Sequence, residues 1–323
     1  MKRALIAGLC AAVATYSLSA NAQSQPQPYP TKVIRWILGF PGGGTSDILA
    51  RALGSKMGES LGQQIIIDNR PGASGMIANQ LVSKAAPDGY TVLLVSSTYA
   101  NLISMQTKLP YDPADLAPVA LIASVPNILS THPSLPVANV KDLIALAKKR
   151  RGDINYGTGG TGTGPHMASE LFRLMTGVDI LHIPYKGTPP AVNDLLAGRV
   201  QMMFALAPVA MPHVRANKLK ALAVSGAKRL PELPNIPTVA ETVPGYEATT
   251  WYGVLMPRGT PRPIIDTWNR ELAKAAATPD AAKALAAAGF QSETSTPEAF
   301  TKYIESEVVK WARVIKAANI TME

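Results

Sequence analysis

Along this chain of 323 residues, short β-branched runs alternate with apolar stripes at helical spacing, and glycine turns separate them. That alternation is the signature of an α/β fold with helices flanking a sheet. Lys32-Val33-Ile34-Arg35-Trp36-Ile37-Leu38 reads as a strand, and Ile48, Leu49, Leu53, Met57 and Leu61 as the inner stripe of a helix. Between them lies Phe40-Pro41-Gly42-Gly43-Gly44-Thr45-Ser46-Asp47. Strand, glycine turn and helix together form an anion-binding geometry. The first helical amides lack intrahelical acceptors, the helix dipole adds partial positive charge, and glycine lets the backbone approach a bound group. Thr45, Ser46 or Asp47 is expected to cap this helix.

The second half repeats the arrangement. Asp153-Ile154-Asn155-Tyr156 is a short strand, Gly157 to Gly164 a glycine-threonine turn, and Pro165 stands where the first helical residue belongs. Met167, Leu171, Leu174 and Met175 supply the stripe, and Gly177 ends the helix. Two such units in one chain imply two lobes facing one ligand.

The remaining elements follow from pattern and punctuation. Gln64 to Asp68, Thr91 to Ser97, Val119 to Ala123, Val125 to Thr131, Ile180 to Ile183, Val200 to Leu206, Leu219 to Ser225 and Thr249 to Met256 are expected strands. Helices are expected from the Asn69–Gly75 turn to about Ala85, after Asn139, and from Ala191 to Gly198. Thr260 is expected to cap a helix from Pro261 onward, and Thr296-Pro297 starts the last, which carries Phe300, Ile304, Val308, Trp311 and Ile315 and should pack back on the first lobe. Ser97 and Thr98 sit at a strand's carboxyl end, the edge where ligands bind in open α/β sheets, and Ala205 has a similar position.

Lys2 and Arg3 precede an apolar run from Ala4 to Val13, and Ala20-Asn21-Ala22 is a cleavage site, so residues 1–22 read as a secretory signal peptide. The lone Cys10 lies inside it, which leaves the exported chain without disulfide or thiol chemistry. The expected location is the periplasm. Removing Lys2 and Arg3 takes the formal charge from +9 to +7, a balance that suits anionic ligands. Lys148-Lys149-Arg150-Arg151 is the one cationic cluster, and it ends an expected helix, where cations favour the dipole. Aromatic residues are not interleaved with basic ones, so nucleic acid is not an expected partner.

Enzyme chemistry finds little footing. Gly157-Thr158-Gly159-Gly160-Thr161-Gly162 matches the dinucleotide pattern G-x-G-x-x-G, with Asp179 where a ribose-binding acid would stand, so an exported nucleotide-cofactor enzyme subunit is a formal alternative. Thr45 replaces the lysine that a phosphate loop requires in Gly39 to Ser46. His132, His166, His182 and His213 lack metal-ligand spacing, and there is no G-x-S-x-G elbow. No catalytic residue, metal or cofactor is expected.

Four segments, in order, resemble the Bug-type solute receptors of tripartite tricarboxylate transporters, a family similar to TctC. They are Tyr29-Pro30 with Phe40 to Asp47; Asp68-Asn69-Arg70-Pro71-Gly72-Ala73 with Ala86-Pro87-Asp88-Gly89-Tyr90-Thr91; Gly157 to His166 with His182-Ile183-Pro184-Tyr185-Lys186-Gly187; and Trp251 with Pro257-Arg258-Gly259-Thr260-Pro261. The resemblance implies a two-lobe periplasmic binding protein fold, type II-like, with mixed sheets and a hinge of two crossing strands. It also implies lobe one from 23–124 plus 248–323 and lobe two from 125–247. A small mono- or dicarboxylate, aliphatic or aromatic, would be held by backbone amides, hydroxyls and waters, then passed to integral-membrane permease subunits. A sensor kinase is the alternative partner, and the receptor is expected to be a monomer. Many relatives carry Asp directly after Gly-Gly-Thr or Gly-Gly-Pro; here Ser46 intervenes before Asp47.

The ligand-binding set expected on these grounds is Phe40, Gly43, Gly44, Thr45, Ser46 and Asp47 from the first turn, Ser97 and Thr98 from the strand end, Gly159, Gly160, Thr161, Gly162, Thr163 and His166 from the second turn, and Ala205. Asp47 is expected to order its loop through backbone amides, because a bare carboxylate repels an anionic ligand. His166, in a first helical turn, is expected to be neutral. Lys186 reads as a solvated turn lysine.

Overall fold

The computed structural model describes residues 29–105 and 108–321. The expected signal peptide, its cleavage near Ala22, and Cys10 lie outside the described residues.

The chain opens with β1 (Ile34–Leu38), α1 (Thr45–Leu61), β2 (Ile65–Asn69), α2 (Met76–Ser83), β3 (Thr91–Ser96), α3 (Thr98–Ser104) and β4 (Leu116–Thr131). Next come α4 (Val140–Lys149), β5 (Asn155–Thr158), α5 (Gly164–Thr176), β6 (Leu181–Pro184), α6 (Thr188–Leu196), β7 (Met202–Leu206), α7 (Ala207–Arg215) and β8 (Lys220–Val224). Last are β9 (Thr249–Pro257), α8 (Arg262–Ala276), α9 (Pro279–Ala287), β10 (Gln291–Ser292) and α10 (Pro297–Ala318).

Helix ends follow local chemistry. Asn139 caps α4 by accepting from the Asp142 amide at 2.9 Å, and Thr296 caps α10 by accepting from Ala299 at 3.1 Å. Gly62 and Gly177 close α1 and α5 in the left-handed conformation. Two expected caps are corrected. Gly44, not Thr45, Ser46 or Asp47, occupies the cap of α1, and the three polar residues form its first turn. Pro261 precedes α8, while the Thr260 hydroxyl donates to the Pro257 carbonyl at 2.7 Å.

The sheet runs β2-β1-β3-β9-β4-β7-β5-β6, with β8 and β10 also paired to β4. β1, β2 and β3 are parallel; β9 is antiparallel to β3 and to β4. The two expected strands around Ala123 and Val125 are one 16-residue strand, because Ser124 is buried and does not break the run. This strand changes partner midway. Through Pro126 it pairs with β9; from Asn127 onward it pairs with β7 and β8. The fold is therefore two lobes, one built on β2-β1-β3 and the other on β7, β8, β5 and β6, joined where β4 passes between them and where the chain returns through Ala248, bonded to the Ser225 carbonyl, into β9.

The last helix departs from expectation. Phe300 and Ile304 pack with Trp251 and Tyr99 in one apolar cluster, whereas Trp311 and Ile315 pack with Phe172, Phe204 and Tyr246 in another. α10 thus lies across both lobes instead of on the first alone. Glu307, midway along it, accepts from the indoles of Trp251 at 3.1 Å and Trp311 at 3.0 Å.

Candidate functional site

The carboxyl ends of β1, β3, β5 and β7 point toward one region between the lobes, and a small cavity of about 30 Å³ lies there. That is room for about two water molecules. Phe40, Pro41, Gly44, Thr45 and Ser46 line it after β1, and Ser96 and Thr98 after β3. Thr163, Gly164 and Pro165 follow β5, Thr188 and Pro189 follow β6, and Leu206 ends β7. Thr250 and Tyr252 of β9 complete the wall.

The site is electropositive without carrying a cation. The N-termini of α1, α5, α6 and α7 all reach this wall, through Thr45, Gly164, Thr188 and Leu206. No lining residue is charged. The amides of Thr45, Ser46, Gly164 and His166 have no acceptor among the described residues, as expected for first helical turns without side-chain caps. Three buried hydroxyls in the same place also lack a partner: Thr45 Oγ1, Ser97 Oγ and Thr250 Oγ1. Buried polar groups are normally paired, so this concentration of unpaired donors marks the cavity. Burial raises the Tyr252 phenol above its ordinary value, with the neighbouring Thr45 hydroxyl pulling the other way; the two make no hydrogen bond of normal geometry.

The expected residues divide into three groups. Phe40, Gly44, Thr45, Ser46, Thr98 and Thr163 line the cavity, and Ser97 aims its unpaired hydroxyl beside Gly164. Gly159 and Gly160 line a wider outer chamber of about 550 Å³ instead. Gly43, Asp47, Thr161, Gly162, His166 and Ala205 line neither chamber. Gly43 is exposed with φ +75°, and its amide is spent on Asp47. Ala205 faces the apolar core because side chains alternate along a strand; Leu206, its neighbour, faces the cavity.

Asp47 orders the first turn. It accepts from the Gly43 amide and, through both oxygens, from the Arg51 guanidinium at 2.8 and 3.0 Å. Burial pushes its carboxyl up, but Arg51 and the Gly43 amide outweigh this and leave it below the usual carboxylate range. Asn69 steadies the same turn by donating to the Phe40 carbonyl at 2.9 Å.

His166 sits beneath the second turn. Its Nδ1 accepts from the Gly162 amide at 3.1 Å, and its ring stacks on His182 at 4.1 Å between centroids. Burial, with Arg173 adding to it, lowers its pKa to about 4. Burial and the neighbouring His166 lower His182 to about 3. Both are neutral at pH 7. Among the described residues no group of three or more His, Cys, Asp or Glu side chains is placed to hold a metal ion. The Gly160 amide donates to Thr158 Oγ1 at 3.2 Å. With Gly162 bound to His166, the G-x-G-x-x-G turn does not present these amides to a phosphate.

The outer chamber is walled by Gly39, Phe40, Pro41, Pro71, Gly72, Ala73 and Ser74 from one lobe and by Gly159, Gly160, Pro184, Tyr185, Lys186 and Gly187 from the other. Lys186 is exposed at its rim. The lobes touch directly here. Ser74 donates to the Thr161 carbonyl at 2.8 Å, Asn101 donates to the Gly162 carbonyl at 2.8 Å, and Gly187 lies against the Pro41 ring.

Sequence pattern missed Ser96, Thr188, Leu206, Thr250 and Tyr252 as lining residues. Thr188 had a signal, since a threonine before Pro189-Pro190 opens a helix as Thr163 and Pro165 do. Thr250 and Tyr252 had none: they lie on β9, and only the pairing of β9 between β3 and β4 brings them to the cavity.

A family model for the tripartite tricarboxylate transporter family receptor (TctC) matches residues 49–320. Protein BugT of Bordetella pertussis is 36% identical over 315 residues, covering 96% of this chain and 96% of that protein. The R. palustris protein Rpa4515, solved with adipate, is 38% identical with a TM-score of 0.89, covering 92% of this chain and 100% of that one. MatC of Rhodopseudomonas palustris, solved with bound malate, is 28% identical with a TM-score of 0.84, covering 89% of this chain and 100% of that one.

Proposed function

This chain belongs to the family of tripartite tricarboxylate transporter receptors, and on that footing we propose that it captures a small carboxylate between its lobes and delivers it to a membrane permease. The observation that carries the proposal is the convergence of helix N-termini and unpaired hydroxyls on a cavity with no charged lining. Hydrogen bonds to a charged acceptor contribute roughly 1.5–3 kcal/mol each. A few such bonds, less the cost of association and closure, reach about micromolar affinity. One carboxylate displaces the waters the inner cavity admits, and the rest of the acid extends past Phe40 and Pro41 into the outer chamber.

The donors assigned to the carboxylate are the Thr45, Ser46, Gly164 and His166 amides and the hydroxyls of Thr45, Ser97, Thr98 and Thr250, while the Thr163 hydroxyl donates to the Gly160 carbonyl at 2.7 Å and so braces the turn. Asp47 and the remaining turn residues act by shaping the turns. The lobes are taken as 23–124 plus 248–323 and 125–247; the partner change of β4 between Pro126 and Asn127 supports that division. The protein is exported with its leader cleaved near Ala22, and it works as a monomer in the periplasm.

A thermal-shift screen over small carboxylates, with adipate and malate included, tests the reading. A binder raises the melting temperature by mass action. No shift with any mono- or dicarboxylate would end the proposal. Loss of acid uptake on deletion would favour the permease as partner; loss of gene induction with uptake intact would favour a sensor kinase.

A further inference from the structure

The segment Gly72-Ala73-Ser74-Gly75 carries four positive φ angles in succession, +144°, +46°, +52° and +94°. Glycine adopts such angles freely; alanine and serine do so rarely, and residues held there concentrate where a protein uses the strained shape. Here the left-handed turn lifts the Ser74 hydroxyl across the cleft to the Thr161 carbonyl at 2.8 Å. On the other side of the same glycine turn, Asn101, fully buried in α3, donates to the Gly162 carbonyl at 2.8 Å. The opposing surface is cut to receive them. A Cβ on Gly160 would stand 2.9 Å from the Ser74 hydroxyl, and one on Gly162 would stand 2.9 Å from the Met105 methyl. Both are glycines in the left-handed range, φ +131° and +78°.

We infer that Ser74 and Asn101 are positioning residues for ligand capture: they clasp two successive carbonyls of the second lobe's glycine turn and so fix the amides that follow it, Gly164 and His166, at the inner cavity. The inference rests on the carboxylate reading for what is captured, but not for the clasp itself. Both clasping bonds form between protein groups, with no ligand atom in either. They therefore favour the closed form before any acid binds. A receptor whose competent form is already populated gains apparent affinity in proportion to that population. The clasp should strengthen every acid the site accepts by the same factor, since neither bond touches the ligand.

Ser74→Ala and Ser74→Gly separate the hydroxyl from the backbone, because both remove the donor while only glycine relaxes the left-handed turn. Small-angle scattering of the ligand-free protein reads the lobe separation. The wild type should match the closed structure, and both variants should show a larger radius of gyration, with the closed-to-open ratio lowered about three- to tenfold. With adipate as the probe, both should raise Kd by the factor by which the closed fraction falls, through faster dissociation. Unchanged scattering in both variants, opening in only one of them, or a wild type that is already open would each overturn the clasp. If adipate fails to bind the wild type, the carboxylate reading loses that ligand while the scattering still decides the clasp.

Discussion

Asp47 accepts the amide hydrogen of Gly43 at 3.1 Å, four residues back across the first glycine turn. The geometry assigns the acid a structural task, since its remaining capacity goes to Arg51. Asp47→Ala should therefore lower stability by about 1–3 kcal/mol in urea unfolding, the range for losing a charged, mostly buried acceptor. Its carboxyl is held below the usual range in the folded state, so its contribution is present above the unfolded pKa of about 3.9 and lost as pH falls below it. The Ala variant should show a shallower loss of stability with acid than the wild type.

Thr250→Val keeps the volume of the side chain and removes a buried hydroxyl that has no protein partner. Unfolding stability should be unchanged or slightly higher. Affinity for the acid that gives the largest thermal shift should fall about tenfold, as measured by titration calorimetry. Equal affinity in the two proteins would remove Thr250 from the donor set.

Gly187→Ala sets a methyl 2.7 Å from the Pro41 ring, across the lobe boundary, at a residue with φ +114°. Gly164→Ala places one 2.0 Å from the Thr250 hydroxyl, inside the inner cavity. Both should abolish measurable acid binding. Circular dichroism should show the Gly187→Ala lobes still folded, because the collision is relieved when they part. Gly164 and Thr250 also face each other across the lobe boundary, so the Gly164→Ala lobes should stay folded as well.

The stacked histidines make stability pH-dependent. Their folded pKa values, about 4 for His166 and about 3 for His182, lie below the ordinary 6.5. Between those values the unfolded chain binds protons that the folded chain does not, so stability rises with pH through the window and is complete above about pH 6.5. For His166 alone the loss at pH 5 is about 2 kcal/mol. Urea unfolding at pH 7.5 and pH 5 should show it, and His166→Asn should reduce the difference.

Elements with local signals were legible before the fold was known. The α/β alternation, the Asn139 and Thr296 caps, the Gly177 stop and the first glycine turn are each written within a few residues. The site was half legible for the same reason. Turn residues announce themselves, and Gly44, Thr45, Ser46 and Thr163 do line the cavity. Which amides remain free was not legible. Gly43 and Gly162 look like donors in the sequence, but Asp47 and His166 take their hydrogens. Thr250, Tyr252 and Leu206 depend on strand pairing at long range, and the short helices α3, α7 and α9 lack a stripe long enough to stand out from their surroundings.

The seating of α10 bears on how the molecule is handled. With Phe300 set in one apolar cluster and Trp311 in another, the tail is a strap over the jaw, and it limits how wide the jaw can swing. Deletions from the C-terminus that reach Trp311 would free the swing and also open a cavity in the second lobe's core, where Trp311 and Ile315 are buried. A tag fused at the C-terminus follows the strap directly, so tagged and untagged receptors should be compared before any binding constant is taken as native.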